Sequence, residues 1–353
     1  IKGRIKKMTH YKPPLEGRGS KDYLLLDFNE RTTGTSKKVK EALKKFIDSD
    51  RLQVYPEYGN LEEKIAEYAG VKLGQAMVTN GGDQGIDIIC RAYLDEGDKI
   101  IIPFPGFAMH YQSAGIQGAE ILEPKYEETG GLPLEEIINE ILISENLKLI
   151  ILCNPNNPTG TGTPISDIEK ILLKAKEKDI AVLHDEAYFE FCGVTAKDLI
   201  EKYGNLYIIR TFAKPFGLVA SRAGYVISKE ENIQELLKIR GPYDVNMFAK
   251  VAIAAALEDT KYLKDYVKEV MEESKPKLEK FLNEKGIKFL QSSANYLLLK
   301  MENPQKIINS LKERGILVRL KDWPDGSLAV RVSIGTAKDT GKFIKIFGEI
   351  VST

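Results

Sequence analysis

Lys148-Leu149-Ile150-Ile151-Leu152-Cys153-Asn154-Pro155-Asn156-Asn157-Pro158-Thr159-Gly160 decides how the chain is read. Its first six residues are apolar almost without a break. A strand that does not alternate is buried on both faces, as in a parallel sheet covered by helices. Two Asn-Pro steps and a Thr-Gly then end it. A residue before proline is held out of the helical region, so an asparagine there is fixed and can aim its amide at a ligand oxygen. An ordinary Pro/Asn turn is the plain alternative, but this arrangement at the end of a buried strand is more specific than that.

The same alternation extends in both directions. Further strand patterns fall at Ala76–Thr79, 99–103, Glu120–Leu122, 180–184, 206–210 and 223–227, with helical patterns such as 83–94, Leu134–Ile143 and 166–178 between them. They predict an α/β large domain over residues 51–240, with a mainly parallel sheet covered by helices on both faces. A long charged helical pattern over 246–284 comes next. Strand and helix signals at Tyr296–Lys300, 304–314, 316–320, Leu328–Ser333 and 336–351 then predict a smaller α+β domain over 241–353. Residues 1–50 carry one helix, Lys37–Ile47, and are expected to join the small domain or a partner subunit. Ligands of open α/β sheets bind at the carboxyl ends of the strands, so the loops there should carry the chemistry.

Composition narrows the classes. The 353 residues are 43% hydrophobic and 29% charged, and 51 basic residues balance 51 acidic ones. A neutral chain has no global field for nucleic acid or an anionic membrane, so anion recognition must be local. Cys90, Cys153 and Cys192 lie far apart without metal-ligand spacing, which predicts reduced thiols and a cytoplasmic setting. Ile1-Lys2-Gly3-Arg4-Ile5-Lys6-Lys7 is basic with no apolar core behind it, so neither a signal peptide nor a membrane span is expected.

Three more segments sit at strand ends. Thr79-Asn80-Gly81-Gly82-Asp83-Gln84-Gly85 closes a strand and opens a helix; its free amides and glycines suit a phosphate, or simply a tight turn. Val182-Leu183-His184-Asp185-Glu186-Ala187-Tyr188 ends an apolar strand on a carboxylate, which is costly unless a cation meets it. A protonated pyridine nitrogen is one such cation; a buried salt bridge and a metal are the others. His10 and His110 stand alone in the sequence, so no metal is expected. In Arg210-Thr211-Phe212-Ala213-Lys214-Pro215-Phe216-Gly217, Lys214 lies among aromatics, with Arg222 eight residues on. An amine in apolar surroundings deprotonates more easily, as Schiff-base chemistry requires.

Together and in this order, these segments resemble the fold-type I pyridoxal-phosphate aminotransferases, most closely the histidinol-phosphate aminotransferase group. The likeness runs from Tyr11-Lys12-Pro13-Pro14 and Leu26-Asp27-Phe28-Asn29-Glu30, through Val54-Tyr55-Pro56, to Val318-Arg319 and Arg331-Val332-Ser333-Ile334-Gly335-Thr336. It implies that Lys214 holds pyridoxal phosphate as a Schiff base and acts as the general base, and that Asp185 pairs with the pyridine nitrogen. Asn157 and Tyr188 would bind the ring's phenolic oxygen, with Phe107 stacked on the ring. Gly82, Asp83, Thr211 and Arg222 would bind the phosphate, with Tyr55 reaching the site of a neighbouring subunit in a homodimer. Arg331 would clamp a substrate carboxylate and Arg319 a distal phosphate.

The implied reaction moves the amino group of histidinol phosphate to 2-oxoglutarate. Threonine-phosphate decarboxylation, and transamination of aromatic or other amino acids, are the alternatives on the same fold. A cofactor-free ligand-binding α/β protein is the alternative from another class. The segment after Asn29 departs from the group: Arg31-Thr32-Thr33-Gly34 stands where Asn-Pro and Gly-Pro are usual. In the group this segment lies over the substrate side chain. Asn29 and Arg31 are therefore expected beside the substrate, with Arg31 adding a cation.

Overall fold

The computed structural model describes residues 1–15, 17–19 and 22–352. A short strand β1 (Leu24–Leu25) comes first, then seven strands that form one sheet. These are β2 (Ala76–Thr79), β3 (Lys99–Ile101), β4 (Glu120–Leu122), β5 (Leu147–Cys153), β6 (Ala181–Asp185), β7 (Leu206–Thr211) and β8 (Gly224–Ile227), in the spatial order β2-β8-β7-β6-β5-β3-β4. β3 to β7 pair in parallel, whereas β8 runs antiparallel to both β7 and β2. The mainly parallel α/β sheet expected from the sequence is present.

Period-two alternation explains why the strands read as unbroken apolar runs. Ile150 and Leu152 of β5 enter one core, under helices Leu61–Ala69, Leu134–Ile143 and Ile165–Glu177. Leu149 and Ile151 enter the other, under helices Gly81–Tyr93, Ala108–Gln117 and Glu230–Leu237. Both faces are dry, so neither set can be polar. Among the described residues, no helix is long and apolar enough to cross a membrane.

The smaller body is built on β9 (Tyr296–Lys300), β11 (Arg319–Asp322) and β12 (Leu328–Ser333), an antiparallel sheet in the order β11-β12-β9. Between β9 and β11 lies β10 (Ile316–Leu317), which pairs with β1. The strand expected at 316–320 is thus divided between two sheets at Val318. The long helical pattern over 246–284 is also divided. Met247–Leu257 ends before Thr260–Lys268, and a wide turn over Glu269–Ser274 leads into Lys275–Glu284.

Packing moves the expected domain edges. Ala249, Ala252, Ala255 and Ala256 lie in the large body's core with Val39 of helix Lys37–Ile47. Small residues let these two helices approach closely, so residues 245–263 and the helix 37–47 belong to the large body, while Leu26 belongs to the small one. The N-terminal segment therefore straddles both.

Gly224 opens β8 where three backbones crowd. A Cβ there would lie 2.7 Å from Gly81 C and Gly82 N, and 3.0 Å from the Arg210 carbonyl. Backbone cannot swing aside as a side chain does. Gly224→Ala should therefore cost about 1–3 kcal/mol of stability, outweighing the ~0.4–1 kcal/mol that losing a glycine returns through the unfolded chain. A thermal midpoint at or above that of the parent would contradict this packing.

Candidate active site

The carboxyl ends of β2, β3, β5, β6 and β7 lie along one edge of the sheet, and β8, running the other way, begins there. The Thr211–Gly224 pairing puts Arg222 next to the loop after β2. These loops, the N-terminal segment and the small sheet enclose a cavity of 490 Å³. Its lining includes Asn29, Gly82, Asp83, Phe107, Asn157, Asp185, Tyr188, Thr211, Lys214, Arg222, Arg319 and Arg331. Twelve of the residues singled out from sequence thus meet in one place.

Asp185 ends β6 and is buried, as are the strand residues before it. Its Oδ1 accepts the Ala187 amide at 3.0 Å, and its Oδ2 lies 3.0 Å from His110 Nε2. A carboxylate has about four acceptor sites, so it keeps capacity for a cation in the cavity. His110, which stands alone in the sequence, is therefore a partner of the predicted acid. The single signal available was its place three residues after Phe107, at the start of the helix that follows β3.

Lys214 follows β7 and reaches the cavity beneath the N-terminal segment, where Nζ donates to the Phe28 carbonyl at 3.1 Å. Burial, then the neighbouring Arg331, lowers its ammonium from the usual lysine range to about 8. Part of this amine is neutral, and nucleophilic, near physiological pH. The backbone after it is pinned as well. Arg31 Nη1 donates to the Pro215 carbonyl at 2.8 Å, and the Tyr262 hydroxyl donates to that of Phe216 at 2.6 Å.

A closed circuit of hydrogen bonds joins the two bodies opposite Lys214. Arg331 Nη1 donates to Asn157 Oδ1 at 2.6 Å, and Nη2 donates to the Asp27 carbonyl at 2.7 Å. Asn157 Nδ2 (3.3 Å) and Asn29 Nδ2 (2.9 Å) both donate to the Tyr188 hydroxyl. Ser333, two residues beyond Arg331 on β12, donates to Asn29 Oδ1 at 3.0 Å. Asn29 holds a left-handed backbone, φ 56°. Such strain in a non-glycine residue persists only where its surroundings enforce it. Burial raises the Tyr188 phenol above its ordinary range, so it stays protonated.

The glycine turn after β2 faces a cation. Gly81 has φ 80°, and a Cβ on it would lie 2.9 Å from Arg222 Nη2. Arg222 is left-handed too, φ 51°, and Nη2 donates to Asp83 Oδ2 at 2.7 Å. The amides of Gly82 and Asp83 lie in the first turn of helix Gly81–Tyr93, where backbone N–H groups lack helical partners.

Two expected site residues lie elsewhere. Arg31 is drawn away from the substrate side: its guanidinium lies 4.1 Å from the Tyr266 ring centroid and 4.7 Å from that of Tyr262. Aromatic faces and backbone carbonyls compete for it better than the cavity does, so it braces the Lys214 loop. Tyr55 is 74% exposed and stacks on Tyr243 at 4.5 Å, outside this chain's cavity. Arg18 and Lys321, which sequence did not single out, do line the cavity.

The residues present fit pyridoxal phosphate. Two donors already point at the Tyr188 oxygen, so the proton of its own hydroxyl remains to be given away. Asn157 has one amide hydrogen left. Lys214 gives up its proton more readily than a surface lysine, Asp185 awaits a cation, and the glycine turn with Arg222 suits a phosphate. Arg331 Nε is buried without a partner among the described residues, as suits a guanidinium meant for an anion.

Comparison with known proteins agrees. The family description "aminotransferase class I and II" matches residues 21–347. A histidinol-phosphate aminotransferase of Staphylococcus carnosus is 34% identical, covering 98% of both chains. One from a Geobacillus species is 35% identical over 92% of this chain and 89% of its own. The crystal structure of histidinol-phosphate aminotransferase from Sinorhizobium meliloti with pyridoxal-5'-phosphate superposes with a TM-score of 0.87. It is 21% identical and covers all of this chain and 97% of that one.

The lowered Lys214 ammonium has a direct readout. In protein stripped of cofactor, labelling by an amine-selective reagent should rise through a midpoint near pH 8, because only the neutral amine reacts. Peptide mass spectrometry across pH 6–11 follows it, and a midpoint near that of surface lysines, about 10.4, would contradict the burial argument.

Proposed function

This chain belongs to the class I and II aminotransferases, whose cofactor is pyridoxal phosphate, and from that premise we propose that it moves the amino group of L-histidinol phosphate to 2-oxoglutarate. The observation that carries the reading is the pairing of Arg331 with Arg319 on the cavity wall, in a chain with full-length relatives of that name. Histidinol phosphate has no carboxylate, so its phosphate is the anion these arginines would take. With 2-oxoglutarate they would take carboxylates, for which the planar guanidinium is suited.

When bound, pyridoxal phosphate supplies an aldehyde for amine exchange and a conjugated ring that accepts the electron pair left as the substrate's amine-bearing carbon loses its proton. Lys214 would hold the cofactor through Nζ. As a free amine, Nζ would be the base that moves the proton of the substrate's amine-bearing carbon. Asp185, fixed by Ala187 and His110, would keep the pyridine nitrogen protonated. Asn157 and Tyr188 would donate to the phenolic oxygen. The Gly82 and Asp83 amides, Thr211 and Arg222 would hold the phosphate, and Phe107 would cover the ring. Asn29 acts through Tyr188, by holding its hydroxyl. Tyr11, Pro13 and Leu15 wall the cavity and restrict water.

A homodimer completes the reading. Leu52, Val54, Tyr55, Tyr243 and Phe248 leave an apolar surface exposed beside one another in sequence or packing. Against a second copy this face would be covered, and Tyr55 would reach the partner's cofactor phosphate. Free Cys90 and Cys153 suit a cytoplasmic setting.

Adding L-histidinol phosphate to the holoenzyme should remove the visible absorption of lysine-bound cofactor, and 2-oxoglutarate should restore it. A spectrum indifferent to histidinol phosphate, with carbon dioxide released from threonine phosphate, would replace this reading with the decarboxylase. Lys214→Ala should abolish turnover by at least a thousandfold, while sedimentation of the parent should give twice the chain mass. Measurable turnover in that variant would remove Lys214 from its role, and a monomer would remove Tyr55 from its own.

A further inference from the structure

β11 carries Arg319 and Lys321 two residues apart, and the antiparallel register places Arg331 opposite Arg319. Residues i and i+2 share a face of a strand, as do directly opposed residues. One side of the small sheet therefore carries three cations, and all three line the cavity. Arg319 and Arg331 have roles in the proposed reaction; Lys321 has none.

The nearby anions are engaged elsewhere. Asp27 and Glu30 both pair with Arg18. Asp322, next along β11, belongs to the opposite face by alternation. Among the described residues, Arg319 meets the Tyr11 hydroxyl, at 3.5 Å, and the Phe28 ring, at 5.0 Å. Among the described residues, Lys321 has no ion pair and no hydrogen bond. Its discomfort shows in its ammonium, which burial, then Arg331 and Arg319, push down to about 7 against the pull of Asp322 alone. Among the described residues none of the three makes an ion pair, and such a cluster of like charges is relieved when a ligand brings further negative charge.

We propose that Lys321 is a specificity-determining residue: with Arg319 and Arg331 it adapts this wall to a single group bearing two negative charges, a phosphate monoester, in preference to a carboxylate. The proposal rests on the reading that the amino donor is phosphorylated. A carboxylate offers two oxygens and one charge, which one guanidinium can satisfy. A phosphate monoester offers three oxygens and about −1.5 to −2 charges near pH 7. The third cation has work to do only for the phosphate, and a compact ammonium can meet it without the fixed plane that a guanidinium demands.

The test uses the holoenzyme, so that the cofactor's own phosphate site is filled, and compares the parent with Lys321→Met and Lys321→Arg. Inorganic phosphate and acetate are titrated calorimetrically, and KM is measured for L-histidinol phosphate and 2-oxoglutarate. Lys321→Met should weaken inorganic phosphate roughly ten- to a hundredfold, the range of a lost charged hydrogen bond. KM for L-histidinol phosphate should rise similarly and by more than kcat falls. Acetate binding and the KM for 2-oxoglutarate should change by less than about threefold. Lys321→Arg, which keeps the charge, should recover most of the loss and shows that the position tolerates change. Unaltered phosphate binding in Lys321→Met, or equal losses for phosphate and carboxylate, would overturn the proposal. Lys321-dependent phosphate binding without turnover of L-histidinol phosphate would keep the cradle and sink the substrate reading. Turnover with an unchanged KM in Lys321→Met would do the reverse.

Discussion

A guanidinium buried at the seam of two bodies governs the site. Arg331 stands on the small sheet, but its two nearest oxygens belong to Asn157, after β5, and to Asp27, on the N-terminal segment. A buried charge is tolerated only where it is hydrogen-bonded, and three parts of the chain that are distant in sequence converge to meet this one. Once they have converged, Arg331 fixes the Asn157 amide by its oxygen, so that its N–H group is the side turned to Tyr188. Tyr188, receiving from Asn157 and Asn29, can present only its proton. One ion placed at the seam thus determines which polar groups face the reacting centre as donors.

The sheet imposes the second constraint. Parallel strands deliver loops to one edge, but a phosphate needs a cation beside the free amides of a helix start. β8 meets this need by running backwards, so that its beginning lies at the edge where its neighbours end. Arg222 arrives there in a left-handed conformation, against a turn whose Gly81 holds a positive φ that favours glycine. Two strained positions, Asn29 and Arg222, line the cavity, and each is held by partners from another segment.

How much of this was legible depends on how local each cause is. β2, β4, β9 and β12 begin and end where their apolar patterns do, because burial on both faces, or strict pairing, is written residue by residue. That Lys214, Asp185 and Asn157 meet in the cavity was legible because each lies at or just beyond the carboxyl end of a strand, in an unusual local setting. His110 was not legible, since its meaning comes from Asp185, 75 residues away and two strands over. Arg31 pointed to the substrate only by position; two tyrosines from a helix beyond residue 259 claim it instead. The domain edge was missed for the same reason. Helix Met247–Leu257 looks continuous in sequence with helix Thr260–Lys268, yet its alanines fit against Val39 from the beginning of the chain.

The division of the run Ile316–Asp322 carries one more consequence. Its first two residues are bonded to β1, which continues into the segment that covers the cavity, and its last four are bonded to the strand bearing Arg331. Val318 is the single residue between them. Cover and anion-binding wall are therefore joined through one residue, so the seating of the roof and the placing of Arg319 and Lys321 rest on a single stretch of backbone.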